Sequence, residues 1–408
     1  MSQTSGGTAS AGLILALIRA GQAVTRSELV QATGLSRPTL AGRLEALLRS
    51  GYLIEAGTGA TKGRPAGRFQ LNESVGVALA ADLGATHARL AVVDLAGAAL
   101  AERAISLTIS DGPEIVLPAV LGILHDLLAE CEKDDAAVLG IGMGVPGPVD
   151  FSSGRPVRPP IMPGWDDFDI RAWFASRLSA PVFIDNDVTI MARGEHCRGG
   201  AQDAQDVVFV KAGTGIGAGL ILGGTVYRGD RGAAGDLGHI RIQAADGVLC
   251  RCGNDGCLEA VAGGPALAAR LSAGGLPAAS TRDVARLVAQ GVPEAIKATR
   301  EAGRHIGEAL ATVVNLVNPQ VIVIGGDLAA THDHLLAGIR EVIYQRSTAL
   351  ATERLRITES RLGVRVGIEG CAVLALDELL SPRALDAALT AREQQPAAEG
   401  RYRDRRDT

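Results

Sequence analysis

Three cysteines and one histidine lie close together past the middle of the chain. The histidine is His239, and Cys250, Cys252 and Cys257 account for half of the six cysteines within eight residues. Three thiolates and an imidazole suit tetrahedral Zn²⁺, and four protein ligands leave no open position, which predicts a structural site. The clustering favours one structural zinc per chain over the alternative of three unrelated free cysteines.

Glycines and acidic residues surround these ligands. Gly247, Gly253 and Gly256 permit the tight turns that a small ligand loop needs. Asp236 precedes the cysteines and Glu259 follows them, so a loop fixed by zinc could hold both carboxylates in a set geometry. The sequences Gly-Asp-Leu-Gly-His at 235–239 and Cys-Arg-Cys-Gly-Asn-Asp-Gly-Cys-Leu-Glu at 250–259 resemble the signature of the ROK family, which comprises repressors, open reading frames and sugar kinases.

A strand, a glycine-containing turn and a second strand occur once in each half of the body. The first set is Val77–Ala81 ending at Asp82, the turn 83–86, and Ala88–Val93; the second is Val207–Val210, the turn Gly213–Gly219, and a strand from Leu220. Because each turn joins two strands and not a strand to a helix, the dinucleotide-binding arrangement is excluded. The pattern predicts an α/β protein of two related lobes around a cleft, and it resembles the duplicated actin-like ATPase (RNase H-like) fold of sugar kinases.

Other segments complete the predicted organisation. The chain has 408 residues and 47% hydrophobic residues, enough for about two to three domains with a large core. We expect a DNA-binding domain over 1–71, a first lobe over 72–186 with a C-terminal helix at about 368–380, a second lobe over 187–367, and a disordered tail over 390–408. The expected elements between these points are a strand at Ala99–Leu107, a helix over 113–132, strands Val138–Val145 and Pro181–Ile184, helices over 188–198 and 296–317, and strand Val321–Ile324.

The glycine turns are candidate phosphate sites, because backbone N–H groups can approach an anion closely there. Asp82 could hold Mg²⁺ through water beside such a phosphate. The family's first turn usually has two glycines, whereas the second position here is Ala85. The predicted ATP or phosphate contacts are Asp82, Gly84, Thr86, Gly213, Thr214, Gly215, Gly217, Gly325 and Gly326.

Asn186 and Asp187 follow a predicted strand at the lip of the cleft. The family resemblance implies that this pair binds sugar hydroxyls and that Asp187 is the general base if the protein is a kinase, since a carboxylate can accept the proton of a hydroxyl as the phosphoryl group arrives. Alone, Asp187 could simply complement a helix dipole. The resemblance also implies sugar contacts from Asp236, where the family has Glu, from Glu259, and from His239, whose two ring nitrogens would divide between zinc and sugar.

The first 71 residues carry a net charge of +5, from eight basic and three acidic residues, although the whole chain carries −5. A helix over residues 10–20, a second over 26–32 capped by Thr25, and a third capped by Ser36 precede a hairpin of Tyr52–Ile54 and Phe69–Leu71. This pattern predicts a winged helix-turn-helix that binds DNA, rather than a small protein-interaction domain. The predicted DNA contacts are Ser36, Arg37, Thr39, Arg43, Lys62, Arg64 and Arg68.

Together these features predict a sugar-responsive DNA-binding transcriptional regulator, a repressor of carbohydrate uptake or metabolism genes. Its expected partners are operator DNA and a neutral sugar or amino sugar, and the family resemblance implies further copies of the chain in a dimer or tetramer. Two alternatives stay open: an ATP-dependent hexose or N-acetylhexosamine kinase with a DNA-binding head, and a bifunctional kinase and regulator, both of which need Mg-ATP. The sequence has no apolar run of about 18 residues and its N-terminus lacks the charged region of a signal peptide, so we expect a cytoplasmic protein without a membrane partner.

Overall fold

The computed structural model describes residues 10–56, 67–331 and 333–394. Two of the predicted DNA contacts, Lys62 and Arg64, and the predicted tail beyond residue 394 lie outside the described residues. The chain divides into two compact units, of which the larger comprises Val77–Val93 and Gly97–Ala375. The smaller unit combines the N-terminal residues up to Gly76 with Asp94–Ala96 and the C-terminal residues from Leu376.

Three helices and a two-stranded antiparallel sheet form the N-terminal part of the smaller unit. Thr25 caps the second helix in a reciprocal capping box, in which Glu28 donates its backbone N–H to the Thr25 hydroxyl and accepts from the Thr25 N–H at 2.9 Å. Ser36 caps the third helix, as predicted. The elements are α1 (Ala11–Arg19), α2 (Arg26–Thr33), α3 (Arg37–Arg49), β1 (Leu53–Ala56) and β2 (Arg68–Leu71). This is the arrangement of a winged helix-turn-helix.

The first sheet of the larger unit has five strands in the order β5-β4-β3-β6-β9. Strands β3, β4 and β5 are antiparallel neighbours, whereas β6 and β9 continue the sheet parallel to β3. All seven residues of β3 are buried, as in a strand covered on both faces. The strands of this part of the chain are β3 (Val77–Leu83), β4 (His87–Val93), β5 (Ala99–Ser106), β6 (Val138–Val145), β7 (Val149–Asp150), β8 (Arg155–Pro156) and β9 (Val182–Asn186).

The second sheet repeats this topology with the order β12-β11-β10-β13-β14. Its first three strands in sequence are antiparallel neighbours, and the last two are parallel to β10. The predicted duplication is therefore confirmed. One boundary was wrong: the predicted turn over Gly213–Gly219 ends at Gly215, because β11 begins at Ile216 and pairs with β10 from Ala212 onward. The strands are β10 (Val207–Ala212), β11 (Ile216–Leu222), β12 (Thr225–Tyr227), β13 (Val321–Gly325) and β14 (Arg356–Glu359).

Helices cover the two sheets. Helix α13 lies so close to β6 that a Cβ added at Gly142 would come within 2.0 Å of the Cys371 carbonyl oxygen. Among the described residues, no helix is long and apolar enough to cross a membrane. The helices of the larger unit are α4 (Pro113–Glu130), α5 (Ile170–Ala175), α6 (Asp187–Arg198), α7 (Glu259–Ala262), α8 (Gly264–Ala273), α9 (Thr281–Ala289), α10 (Pro293–Val317), α11 (Asp333–Arg346), α12 (Ala349–Thr352) and α13 (Val366–Leu379), which runs on into the smaller unit.

A last helix, α14 (Pro382–Gln394), corrects part of the predicted disordered tail. Residues 390–394 belong to this helix, which packs on α1 within the smaller unit. The Gly12 backbone N–H donates to Asp386 Oδ1 at 3.0 Å. Leu385 and Leu389 are buried, and this apolar face, rather than the charges between its residues, explains why the segment is helical.

Candidate functional site

The four predicted zinc ligands converge at one point. His239 ends a short 3-10 turn, and one ligand atom from each of the four side chains lies within 4.8 Å of every other. Cys250 Sγ is 3.7 Å from His239 Nδ1, and Cys252 Sγ is 3.7 Å from Cys257 Sγ. A tetrahedral zinc with bonds of about 2.3 Å to sulfur requires sulfur atoms about 3.8 Å apart. The donor set and its spacing thus fit a structural zinc ion.

Backbone contacts hold this loop in a compact turn. The Cys250 N–H donates to the Asn254 carbonyl at 2.7 Å, and the Gly253 N–H donates to the Cys250 carbonyl at 3.0 Å. Gly247, Gly253 and Gly256 have φ angles of 77°, 92° and 84°, which confirms the predicted need for glycine there. The second ring nitrogen of the histidine, His239 Nε2, lies on the other side, 3.9 Å from Asp236 Oδ1. The two ring nitrogens therefore face different groups.

A cavity of about 570 Å³ lies within the larger unit, between residues of the two sheets. The structure places the predicted residues Asp82, Gly84, Asn186, Asp187, Gly213, Thr214, Gly215, Gly217, Asp236, His239 and Glu259 along its wall. Thr86, Gly325 and Gly326 are not in that wall, and Gly217 belongs to strand β11 and not to the turn. A Cβ at Gly326 would come within 2.5 Å of the Ala212 carbonyl oxygen, so close packing already accounts for this glycine.

A lysine that sequence reasoning missed lies in this wall. Lys211 Nζ donates to Asp187 Oδ2 at 2.5 Å, and only 19% and 4% of the two side chains are exposed. Burial alone would lower the pKa of Lys211, but Asp187 and the nearby Asp82 and Asp327 raise it above its usual value. Lys211 is one of four lysines in the chain and stands in the otherwise apolar strand Val207–Ala212. That isolated cation in a buried strand was the available sequence signal.

Asp82 is buried beside this ion pair. Burial, followed by repulsion from Asp187, raises the pKa of Asp82 to about 6. Its carboxylate packs against the first turn of α13, where a Cβ on Gly367 would come within 2.0 Å of Asp82 Oδ2. Asp82 is therefore held in one position close to a second carboxylate and an ammonium group.

Asn186 caps helix α6 and is only partly free for a ligand. Its Oδ1 accepts from the Val188 and Thr189 N–H groups at 2.9 and 3.2 Å, and its Nδ2 donates to the Gly147 carbonyl at 2.8 Å. One N–H of the amide is left for a ligand. The preceding Asp185 pairs with a residue the sequence did not single out, Arg228, at 2.8 Å.

Glu259 connects the end of the zinc loop to the second glycine turn. Its Oε2 accepts from the Ile216 N–H at 2.9 Å, and a Cβ on Gly215 would come within 2.7 Å of the same oxygen. Arg251 Nη2 lies 3.6 Å from the other oxygen. Asp236, by contrast, exposes 58% of its side chain. Among the predicted sugar contacts, Asp236 is thus the most open to a ligand.

His87, the first residue of β4 after the first glycine turn, is another lining residue that the sequence did not single out. The Gly84 N–H donates to the His87 carbonyl at 2.8 Å, and a Cβ on Gly84 would come within 2.8 Å of the imidazole. Burial lowers the pKa of His87, which favours the neutral ring. Ala85 lies in the cavity wall next to it.

The predicted DNA contacts on helix α3 lie at the surface of the smaller unit. Ser36, Arg37, Thr39 and Arg43 are exposed, and so is Arg68 on β2. The hydroxyls of Ser36 and Thr39 are 2.8 Å apart. The opposite side of α3 is buried through Leu40, Leu44 and Leu47, and the neighbouring Leu48 is half-buried. The helix therefore presents a polar and basic face outward.

Two sheets of identical strand order, with glycine turns beside a cavity, define the two-lobed actin-like fold of sugar kinases, joined here to a winged helix-turn-helix. The sequence matches the ROK family over residues 78–378, and the chain belongs to this family. It is 30% identical over 384 residues to a protein named putative xylose repressor from Caldicellulosiruptor sp. (strain Rt8B.4), covering 90% of this chain and 96% of that protein.

Solved structures of similar proteins include both a regulator and a kinase. A ROK family transcriptional regulator described as a homologue of the Escherichia coli MLC protein superposes with a TM-score of 0.80 at 27% identity, covering 93% of this chain and 98% of that one. A ROK family glucokinase from Streptomyces griseus, in complex with glucose and AMPPNP, superposes with a TM-score of 0.64 at 27% identity, covering 74% and 99%. The family therefore includes repressors and sugar kinases, and the regulator matches the larger part of this chain.

Proposed function

We propose that this protein is a sugar-responsive transcriptional regulator that represses genes of carbohydrate uptake or metabolism. The observation that carries the proposal is the exposed basic face of α3 in a winged helix-turn-helix, on the same chain as a sugar-kinase-like body. Such a face suits the major groove, where arginine and short hydroxyls read base edges. The repressor name of the relative that shares nearly the full length supports it.

The cavity is proposed as the effector site for a neutral sugar or amino sugar. Asp236, His239 Nε2 and the free N–H of Asn186 offer acceptors and donors of the kind that hydroxyl groups need. Sugar would act on the operator only if it binds the DNA-competent and DNA-incompetent states with different affinity. A dimer or tetramer in the cytoplasm is part of the proposal, because paired heads fit an operator of two half-sites.

Zinc is proposed as a structural brace. His239, Cys250, Cys252 and Cys257 would hold it, and the closed ligand set leaves it no reaction to perform. Its contribution would be to fix the loop that carries His239 and ends at Glu259, both of which line the cavity.

An ATP-dependent sugar kinase, alone or combined with regulation, is the second candidate. The favouring observation is that Asp187 and the turn Gly213–Gly215 line one cavity, and the glucokinase structure shares this body. Asp187 would then be the general base. Two features argue against turnover: the Asp187 carboxylate is ion-paired with Lys211, and Ala85 occupies the first glycine turn.

Incubation with Mg-ATP and a panel of sugars tests this candidate. Phosphorylation of a sugar by the wild type that is lost in Asp187→Asn would establish it.

Fluorescence anisotropy on a duplex selected from a random library tests the regulator. We expect Arg43→Ala to weaken duplex binding by about tenfold to a hundredfold, which corresponds to the loss of one base-edge contact. Arg354→Ala, a matched charge removal at an exposed arginine of the body, should leave the affinity unchanged. At least one neutral sugar or amino sugar should change the affinity of the wild-type protein. An affinity that no sugar alters would refute the proposed regulator.

A further inference from the structure

Lys211 is the second-last residue of strand β10, and the turn Gly213–Gly215 begins where this strand ends. Its ammonium group reaches across to the first residue of helix α6 and contacts Asp187 Oδ2 at 2.5 Å. Removing a partner from a buried ion pair leaves an uncompensated charge, so Lys211 cannot leave Asp187 without a substantial free-energy cost. The pair is therefore a fixed part of the cavity wall.

Two more carboxylates line the cavity around this ammonium group. Asp82 and Asp327 are near enough for their charges to act on Lys211. Carboxylate oxygens converging with room for phosphate are what Mg²⁺ uses in phosphoryl-transfer sites. Here a protein cation already stands among them, and it would repel a divalent ion placed beside the same oxygens.

We propose that Lys211 is a built-in cation that replaces the metal ion in this cavity, so that the site takes an uncharged sugar without a metal–nucleotide complex. Asp187, the acid that would accept a sugar proton in a kinase, already accepts a hydrogen bond from Lys211 at its Oδ2 atom. The acidic residues of the cavity therefore do not fit Mg-ATP while the lysine is present. The inference rests on the proposed function only in taking a sugar as the ligand.

Manganese binding to the zinc-loaded full-length chain tests this inference. Mn²⁺ prefers oxygen ligands, as Mg²⁺ does, and does not displace zinc from thiolates. The electron paramagnetic resonance signal of the free ion reports how much Mn²⁺ is bound. We expect Lys211→Met to bind Mn²⁺ more than about tenfold more tightly than the wild type, because one positive charge leaves a partly buried acidic site. Lys297→Met, the same change at an exposed lysine of α10, should behave as the wild type.

A second substitution at Lys211 controls for misfolding of Lys211→Met. Lys211→Gln removes the charge but keeps an N–H donor for Asp187, so it should retain the fold and show the same gain in Mn²⁺ affinity. Equal Mn²⁺ binding by the folded variants and the wild type would overturn the inference. Tight binding of Mg-AMPPNP to the wild type would overturn it as well, because Lys211 would then be a phosphate ligand.

The same proteins separate this inference from the proposed regulator. If sugar alters duplex binding by the wild type but neither Lys211 variant gains Mn²⁺, the lysine inference fails and the regulator stands. If the variants gain Mn²⁺ and no sugar alters duplex binding, the regulator fails and the lysine inference stands. Sugar action on the wild type without Mg²⁺ or nucleotide, together with the Mn²⁺ gain, supports both.

Discussion

Replacing Asp82 with asparagine should stabilise the larger unit at neutral pH. The side chain is 6% exposed, and burial together with the Asp187 carboxylate raises its pKa to about 6 from an ordinary value of 3.8. A carboxyl whose pKa is higher in the folded state binds a proton more tightly when folded. Its stabilising contribution is therefore complete below about pH 4 and is lost as the pH rises through 6.

The rise in the pKa of Asp82 sets the size of this effect. A pKa raised from 3.8 to about 6, at about 1.4 kcal/mol for each tenfold change in proton affinity, lowers the free energy of unfolding of the wild type by about 3 kcal/mol between pH 4 and pH 7. Asparagine has nearly the same shape and does not titrate, so it fits against Gly367 without this loss. The difference in free energy of unfolding between Asp82→Asn and the wild type should thus be near its minimum at pH 4 and grow in favour of the variant up to pH 7.

Urea unfolding of the zinc-loaded protein at a series of pH values measures this difference. Both tryptophans of the chain, Trp165 and Trp173, are buried in the same hydrophobic core as β3, so their fluorescence reports on the relevant lobe. Asp150→Asn is the control, because hydrogen bonds from Ser152 and Ser153 lower the pKa of Asp150 to about 2 instead of raising it. The difference in free energy of unfolding between Asp150→Asn and the wild type should therefore not vary with pH above about pH 5. A difference for Asp82→Asn that is flat with pH would refute the assignment of a raised pKa.

Two further substitutions test the zinc loop and the packing of α13. We expect elemental analysis of the wild type to find about one zinc per chain. Cys252→Ser should lose this zinc and melt at a lower temperature, whereas Cys197→Ser, at an exposed cysteine, should keep both the zinc and the wild-type melting temperature; retained zinc in Cys252→Ser would contradict the ligand set. Gly142→Ala should destabilise the larger unit by about 3 kcal/mol or more in urea unfolding, because its Cβ would come within 2.0 Å of a carbonyl oxygen of α13. Gly122→Ala in α4 meets no atom within 4 Å and should be neutral or stabilising by up to about 1 kcal/mol, so a comparable loss in both variants would count against the packing argument.

Local signals in the sequence predicted most elements of the fold. The helix cap predicted at Thr25 depends on residues close in sequence, and the structure shows it as a capping box with Glu28. The buried strand predicted at Val77–Ala81 extends to Leu83, since pairing with β4 continues past Asp82 into the turn. Metal ligands were equally accessible, because His239 and the cysteines lie within one short stretch and their residue types fix the chemistry.

Contacts between distant elements were not predictable in the same way. Whether Lys211 faces Asp187 depends on the alignment of β10 with α6, and alternation along one strand cannot show which side meets the acid. The pairing of Asp185 with Arg228 has the same origin, 43 residues apart. The sequence did not predict helix α14, because its leucines are buried only through packing against α1, which lies at the other end of the chain.

These distant contacts alter the chemistry that the local motifs suggest. Considered alone, an aspartate after Asn186 and an intact second glycine turn favour a kinase. With Lys211 in place, the same aspartate is one half of a buried ion pair, and the asparagine is largely occupied as a helix cap. The residues that remain open, Asp236 and His239 at its Nε2 atom, belong to the segment that a zinc ion at the proposed ligands would fix. Acids that are already paired, beside open hydrogen-bonding groups next to the proposed zinc site, therefore support the proposed sugar-binding role over the kinase alternative.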